Sequence, residues 1–194
     1  MPEEKLVLHP SNPWAILHDP SLLLDALRSA GLIGVSVPFY GEIHYAAGPR
    51  FHELVLFRKL AVAEAPQLHV SLSETAEAPE FLGASRTRPP LCPRCRSYVP
   101  DWMAQLQTWR HEGRHLPWNC SRCGRGADIQ ELDWAHTGGV ARYSLELWGV
   151  PHGAAVPAPE LLALLERATL ERWSYFYYRL ALEPAGRTQA RARV

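Results

Sequence analysis

The four cysteines of this 194-residue chain stand in two matched pairs. Two residues separate the cysteines within each pair, and the four positions are Cys92, Cys95, Cys120 and Cys123. This spacing lets both thiolates of a pair point to one side of a tight turn, and two such turns complete a tetrahedron around a metal ion. Four thiolates leave no open coordination position, so the metal would be structural. The sequence predicts one structural Zn²⁺.

The details of the two pairs are typical of zinc knuckles. The first pair reads Cys-Pro-Arg-Cys, and Gly124 follows the last cysteine, where it eases a left-handed turn. In these features the segment 91–126 resembles the zinc-ribbon family. The resemblance covers that segment alone and implies two knuckles folded around one zinc ion. The spacer 96–119 is longer than in the simplest ribbons, so we expect an extra turn or helix between the knuckles.

Disulfide bonds or a redox-active dithiol would use the same residue type. A thioredoxin-like site needs a single Cys-x-x-Cys at the start of a helix, which two matched pairs do not provide. Disulfides belong to oxidising compartments. The N-terminus shows no charged-then-apolar signal pattern, and no apolar run approaches the roughly 18 residues of a membrane span. We therefore expect a cytoplasmic protein that is not embedded in a membrane.

Arginine and aromatic residues surround the cysteines. Between residues 86 and 126, eight arginines face only Asp101 and Glu112, a formal charge of +6 in a chain that is neutral overall. Arginine beside aromatic rings can grip phosphate and stack bases. Alternatively, the arginines offset the negative charge of a zinc tetrathiolate, and the tryptophans pack the ribbon against the main domain. The candidate contacts to nucleic acid or to a protein partner are Arg94, Arg96, Arg122, Arg125, Trp102 and Trp118.

The segment 111–115 reads His-Glu-Gly-Arg-His and matches the zinc-protease motif His-Glu-x-x-His. In such enzymes His111 and His115 would bind one metal ion from a helix, and Glu112 would activate its water. Gly113 weakens the required helix by about 1 kcal/mol. Arg114 would place a cation beside the metal, and no third ligand is evident. We therefore favour an exposed loop, and a zinc hydrolase remains the third functional hypothesis.

Apolar periodicity predicts two helices and several strands. Asp19 and Pro20 begin a helix that Gly31 ends, and Pro159 begins a second helix with a leucine-rich face. Residues 34–49 are rich in turns, with a short strand around Ile43 and Tyr45. The other predicted strands cover 68–72, 143–148 and 173–178, and residues 52–60 fit either a strand or a short helix.

The order of these elements predicts an α+β fold with a mixed or antiparallel sheet, about two main helices and an inserted four-cysteine zinc ribbon. Composition shifts place the boundaries. Residues 1–88 and 128–182 are the two parts of the α+β domain, 89–127 are the ribbon insertion, and 183–194 are a flexible tail.

The sequence carries no clear catalytic apparatus. It has no glycine-rich phosphate loop, and no Ser/His/Asp order can be picked out. Tryptophan and arginine often anchor protein interfaces. The sequence therefore predicts a non-enzymatic zinc-binding protein that acts as an adaptor, regulator or inhibitor of a protein partner. The alternative is a nucleic-acid-binding protein that uses the Arg/aromatic face of the ribbon.

Overall fold

Strands from both halves of the chain build the structure. The computed structural model describes residues 4–58, 68–84, 87–112, 114 and 117–179. Its helices are α1 (Pro20–Ser29), α2 (Phe51–Leu54), α3 (Trp102–Glu112) and α4 (Pro159–Thr169), with a 3-10 turn at Ile129–Glu131. Its strands are β1 (Glu4–Pro10), β2 (Ile33–Phe39), β3 (Glu42–Ala47), β4 (Val55–Phe57), β5 (His69–Leu72), β6 (Glu80–Phe81), β7 (Trp118–Asn119), β8 (Gly126–Ala127), β9 (Val140–Ala141), β10 (Leu145–Trp148), β11 (Ala155–Pro157) and β12 (Trp173–Arg179).

Six of these strands form the main sheet in the order β12-β1-β10-β5-β3-β2. Every neighbouring pair is antiparallel, so the α+β prediction is confirmed. The chain leaves this sheet after β5 and returns to it at β10. Everything between them, including all four cysteines, is therefore an excursion from the sheet.

Helices α1 and α4 pack against each other and cover one face of the sheet. The Asp19 side chain accepts a hydrogen bond from the Ser21 amide at 2.9 Å, as expected of an N-cap, and proline occupies the first turn of both helices. Both helix predictions are confirmed. Their buried leucines meet the inward residues of the sheet in the first core, which includes Leu6, Leu8, Leu23, Leu27, Val70, Leu145, Leu147, Leu161 and Leu165.

Two parts of the sheet differ from the sequence prediction. The segment 34–49, expected to be mainly turns, is the β2–β3 hairpin, whose tight turn places Tyr40 and Gly41 at φ 49° and 89°. The sequence pattern also missed β1, which lies between β12 and β10. The segment 52–60, which fitted either a strand or a short helix, contains both, since α2 runs directly into β4. Residues 59–60 and the predicted tail 183–194 lie outside the described ranges.

The cysteine segment has a hydrophobic core of its own. The face of α3 contributes Trp102, Leu106 and Trp109, so the expected helix between the knuckles is present. The other members are Cys92, Val99, Trp118, Cys120, Ala127, Ile129, Leu132, Trp134 and Val140. This second core thus extends past residue 127, where the composition had suggested the end of the module.

The turn at Ala135 and His136 fastens the cysteine module to the edge of the sheet. The Tyr177 amide of edge strand β12 donates to the His136 carbonyl at 2.9 Å. The His136 ring donates from Nδ1 to the Tyr175 carbonyl at 2.9 Å and stacks on the Tyr175 ring. Ala135 and His136 both have positive φ, 47° and 56°, a costly conformation for residues with a Cβ. These contacts cover an edge strand that would otherwise be open to association.

The sheet face opposite the helices carries a cluster of rings. His69 stacks on Trp148 with ring centroids 5.6 Å apart, and the His44 centroid lies 4.9 Å from that of His69. The His44 side chain is only 1% exposed, and its Nε2 lies 3.6 Å from a Glu42 carboxylate oxygen. Burial, together with the positive charge that His69 can carry, lowers the pKa of His44, while Glu42 and Glu146 act in the opposite direction.

None of the helices in the described ranges is long and apolar enough to cross a membrane.

The His44 environment predicts a loss of stability in acid. Because its pKa is lower in the folded chain, the unfolded chain takes up the proton first as the pH falls. The stability that neutral His44 contributes to the fold is therefore complete above the pKa of His44 in the unfolded chain, roughly 6.5. This stability is lost as the pH falls through the pKa of His44 in the folded chain. We expect His44→Phe to lose less free energy of unfolding between pH 7 and pH 5 than the wild type, in urea titrations at both pH values. An equal loss in the two proteins would contradict this assignment.

Candidate metal centre

The two cysteine pairs fold into knuckles of matched geometry. In the first, the Cys92 carbonyl accepts from the Arg96 amide at 3.0 Å, and the Cys92 amide donates to the Ser97 carbonyl. In the second, the Cys120 carbonyl accepts from the Gly124 amide at 2.8 Å, and the Cys120 amide donates to the Arg125 carbonyl. Each knuckle therefore closes at the same positions relative to its first cysteine.

The fifth residue of each knuckle adopts a left-handed conformation. Gly124 has a φ of 67°, as its position after the last cysteine predicted. Arg96 has a φ of 60° without the freedom of a glycine, so the fold holds it there at some cost. Short antiparallel pairings support both turns, namely the Leu91–Tyr98 bridge and the β7–β8 ladder.

These turns bring all four cysteines together. The four sulfur atoms lie within 4.8 Å of one another. Cys92 Sγ is 3.9 Å from Cys123 Sγ, and Cys95 Sγ is 3.7 Å from Cys120 Sγ. A tetrahedral zinc–thiolate site with bonds of about 2.3 Å requires sulfur separations of about 3.8 Å. The four cysteines are free rather than disulfide-bonded, and they are placed to hold a metal ion.

Neighbouring groups shift the pKa values of two of these thiols in opposite directions. Hydrogen bonds with the Ser97 side chain and amide lower the pKa of Cys95 to about 6. The Arg125 amide acts to lower the pKa of Cys123, but burial and the three neighbouring thiols outweigh it and raise this pKa to about 11. Thiols this close cannot all ionise unless a cation offsets their repulsion. A dication between them would stabilise all four thiolates at once, so the donor set fits a metal.

Four arginines lie around the metal centre on the surface of the knuckles. Arg94, Arg96, Arg122 and Arg125 are all exposed. Arg96 pairs with Asp133 at 2.7 Å, and Arg122 donates to the Ser97 hydroxyl at 3.1 Å, which ties the second knuckle to the first. Arg94 and Arg125 form no salt bridge with a carboxylate in the part of the chain that the structure describes. The site therefore has a basic outer surface.

The two predicted tryptophan contacts lie elsewhere. Trp102 and Trp118 are 9% and 6% exposed, and both belong to the second core. The exposed ring beside the knuckles is Tyr98, at 69%. The spacing of Trp102, Leu106 and Trp109 on one helical face was the sequence signal for burial.

His111 and Glu112 of the His-Glu-x-x-His segment belong to the exposed end of α3 rather than to the exposed loop that the sequence favoured. Gly113 and His115 lie outside the described residues. The Arg114 guanidinium donates to the Pro79 carbonyl at 2.6 Å, and the Arg114 carbonyl accepts from Trp109 Nε1. Arg114 therefore fastens the end of α3 to the segment before β6. Within the described ranges, His111 and Glu112 do not belong to a group of three metal-ligating side chains.

Sequence reasoning missed a cleft of about 230 Å³ between the sheet and the cysteine module. It is lined in part by His9, Ser11, Ser174 and His136. The His9 ring donates from Nδ1 to the Pro10 carbonyl at 2.8 Å, and burial lowers the pKa of His9, so the neutral ring is favoured. Residues so far apart in sequence carry no pattern that could have predicted this cleft.

No protein-family model, no curated protein and no solved structure matches this chain. The assignment of the metal centre therefore depends on the cysteine spacing and on the geometry of the four sulfur atoms.

Removal of one ligand from each knuckle tests the metal centre. We expect Cys92→Ser combined with Cys120→Ser to abolish metal binding, since only two thiolates remain. The second core should then lose cooperative folding because the metal holds its two knuckles together. Elemental analysis of tag-free protein measures the metal per chain. Tryptophan fluorescence reports unfolding, since four of the seven tryptophans belong to the second core.

The matched control is Ser121→Ala, an exposed residue of the second knuckle that is not a ligand. It should retain the wild-type metal content and unfolding transition. Wild-type protein that folds fully without any bound metal would contradict a structural metal site.

Proposed function

We propose that this protein is a cytoplasmic, non-catalytic binding protein whose cysteine module holds one structural Zn²⁺ and whose partner is another protein. Four thiolates are a ligand set that zinc favours, and they fill its coordination sphere. The zinc therefore stabilises the module and takes no part in a reaction. The observation that supports a protein partner is the exposed β2–β3 hairpin.

The β2–β3 hairpin displays large apolar side chains to solvent. Val35 is 75% exposed, Ile43 is 68% exposed, and Tyr40 at the turn is 93% exposed. Exposed apolar residues gathered on one element are typical of an interaction surface. A polar or charged hairpin would be expected if this element only closed the sheet.

The hairpin also ends the main sheet. Strand β2 pairs only with β3 among the described strands, so its outer edge has no strand partner there. A partner strand can add to such an edge through main-chain hydrogen bonds, while the apolar side chains provide specificity. This mode of binding suits an adaptor, a regulator or an inhibitor, and it requires no catalytic group.

A photo-crosslinking amino acid at position 40 tests the protein partner. In the native host we expect a discrete, nuclease-resistant crosslinked product from this position. The same amino acid at position 170 should give no such product, since Leu170 is 90% exposed but lies after α4 and outside the hairpin. When Val35→Ser and Ile43→Ser are added to the variant with the crosslinking amino acid at position 40, the crosslinked product should disappear.

Because Val35 and Ile43 are exposed, these substitutions should change the free energy of unfolding by only about 0.5 kcal/mol. Disappearance of the crosslink would then indicate that the partner no longer binds, rather than that the protein has unfolded. Identical products from positions 40 and 170, or a product that survives both serine substitutions, would argue against the hairpin as the binding surface.

Nucleic-acid binding is the second candidate, because the two knuckles gather four exposed arginines beside Tyr98. Two of these guanidinium groups pair with no carboxylate among the described residues. Arginine forks and an exposed aromatic ring are the groups that contact phosphates and stack on unpaired bases.

The arginine cluster predicts a salt-dependent affinity for single-stranded nucleic acid. Removing one arginine–phosphate interaction reduces the slope of log K against log salt by roughly 0.7 for a single strand. Changing Arg94, Arg96, Arg122 and Arg125 to serine should therefore weaken binding and flatten this slope in fluorescence-anisotropy titrations. The control changes Arg167 and Arg172, which are exposed near α4, and should bind as the wild type does. Equal affinity of the quadruple variant and the wild type would exclude this candidate.

A further inference from the structure

A second cleft lies on the other side of the turn that fastens the cysteine module to the sheet. Its volume is about 220 Å³. Part of its wall comes from the segment before the first knuckle and from the fastening turn, and the rest comes from β12 and the loop after β10. The described lining residues are Ala84, Thr87, Arg88, Thr137, His152, Tyr177 and Arg179.

Hydrogen bonds fix the module side of this cleft. The Thr87 hydroxyl donates to the Thr137 carbonyl at 2.9 Å, and the Arg88 amide donates to the Thr137 hydroxyl at 3.1 Å. The Thr137 hydroxyl in turn donates to the Trp134 carbonyl at 2.8 Å. Thr87 and Thr137 are 9% and 7% exposed, so hydrogen bonds of buried side chains hold the main chain at Arg88 in place.

Two arginines line the cleft, Arg88 and Arg179. Arg88 is exposed and forms no salt bridge with a carboxylate in the described ranges. Arg179 pairs through Nε with Glu4 at 2.9 Å, and its terminal nitrogens have no hydrogen-bond partner among the described residues. The ring centroids of His152 and Tyr177 are 4.9 Å apart, and the Tyr177 hydroxyl donates to the Ala155 carbonyl.

No carboxylate belongs to the described lining of this cleft. A concave site lined by two guanidinium groups, only one of which pairs with a carboxylate among the described residues, favours a negatively charged ligand.

We propose that this cleft binds the phosphate group of a small phosphorylated ligand through Arg88, Arg179 and His152. Guanidinium groups match the oxygen geometry of phosphate and form charge-assisted hydrogen bonds with it. The cleft is smaller than the roughly 300–1,000 Å³ that larger ligands occupy. This size selects a phosphomonoester over an extended polymer. The site is separate from the hairpin and from the arginines of the knuckles, so it does not depend on the proposed protein partner.

NMR titration of the metal-loaded, full-length protein tests this proposal. One arm uses inorganic phosphate and the other a nucleoside 5′-monophosphate, both at constant ionic strength. We expect saturable shifts in the amide signals of Thr87, Arg88, Thr137 and His152 in both arms. Tighter binding of the nucleotide would identify an organic phosphate as the ligand, and equal affinity would identify free phosphate.

Two variants separate a specific site from general attraction to a basic protein. Arg88→Gln should weaken binding by roughly tenfold because it removes a charged donor. Arg167→Gln removes an equally exposed arginine on α4 and should leave the affinity unchanged. Both changes affect exposed side chains and should preserve the fold, which the same spectra report. Equal weakening by the two variants, or shifts that do not saturate, would overturn the proposal.

Discussion

The pairing of β1 with both β10 and β12 holds the two halves of the chain in one sheet. Seven residue pairs join β1 to β12, with Leu6 opposite Tyr177 and also opposite Leu147 of β10. Because β5 and β10 are paired neighbours in the sheet, the segment between them must leave the sheet and return. The cysteine module is therefore anchored at both ends. Loss of this pairing would separate α1 from α4 and expose the leucines of the first core.

The stability of the cysteine module depends less on strand pairing than that of the main sheet does. Its core contains several tryptophans on few regular elements, and its strands β7 and β8 have only two residues each. Four sulfur atoms within 4.8 Å of one another repel when ionised, so a cation between them would stabilise the module. The exposed arginines offset the negative charge that a zinc tetrathiolate would retain. The same arginines leave a basic surface that is available to an anionic partner.

Both clefts arise where the module meets the sheet. The turn at Ala135 and His136 lies against the edge of β12, and one cleft forms on each side of it. The left-handed conformation of these two residues is stabilised by the His136 contacts to Tyr175 and Tyr177. The turn thus has two consequences, since it covers a vulnerable strand edge and it forms the walls of two polar clefts. The β2–β3 hairpin lies at the opposite edge of the sheet, which keeps the proposed protein-binding surface apart from the junction.

Local interactions explain what the sequence by itself determined. The Cys-x-x-Cys spacing depends on a few consecutive residues, and so do the Asp19 cap and the leucine faces of α1 and α4. Tertiary structure alone decided the rest. Strand β1 escaped prediction because Val7 is buried as fully as Leu6 and Leu8, so its burial does not alternate. Residue type could not show that Trp118 is buried while Tyr98 is exposed. The junction clefts combine residues as distant as Arg88 and Arg179, and only the antiparallel pairing of remote strands brings such residues together.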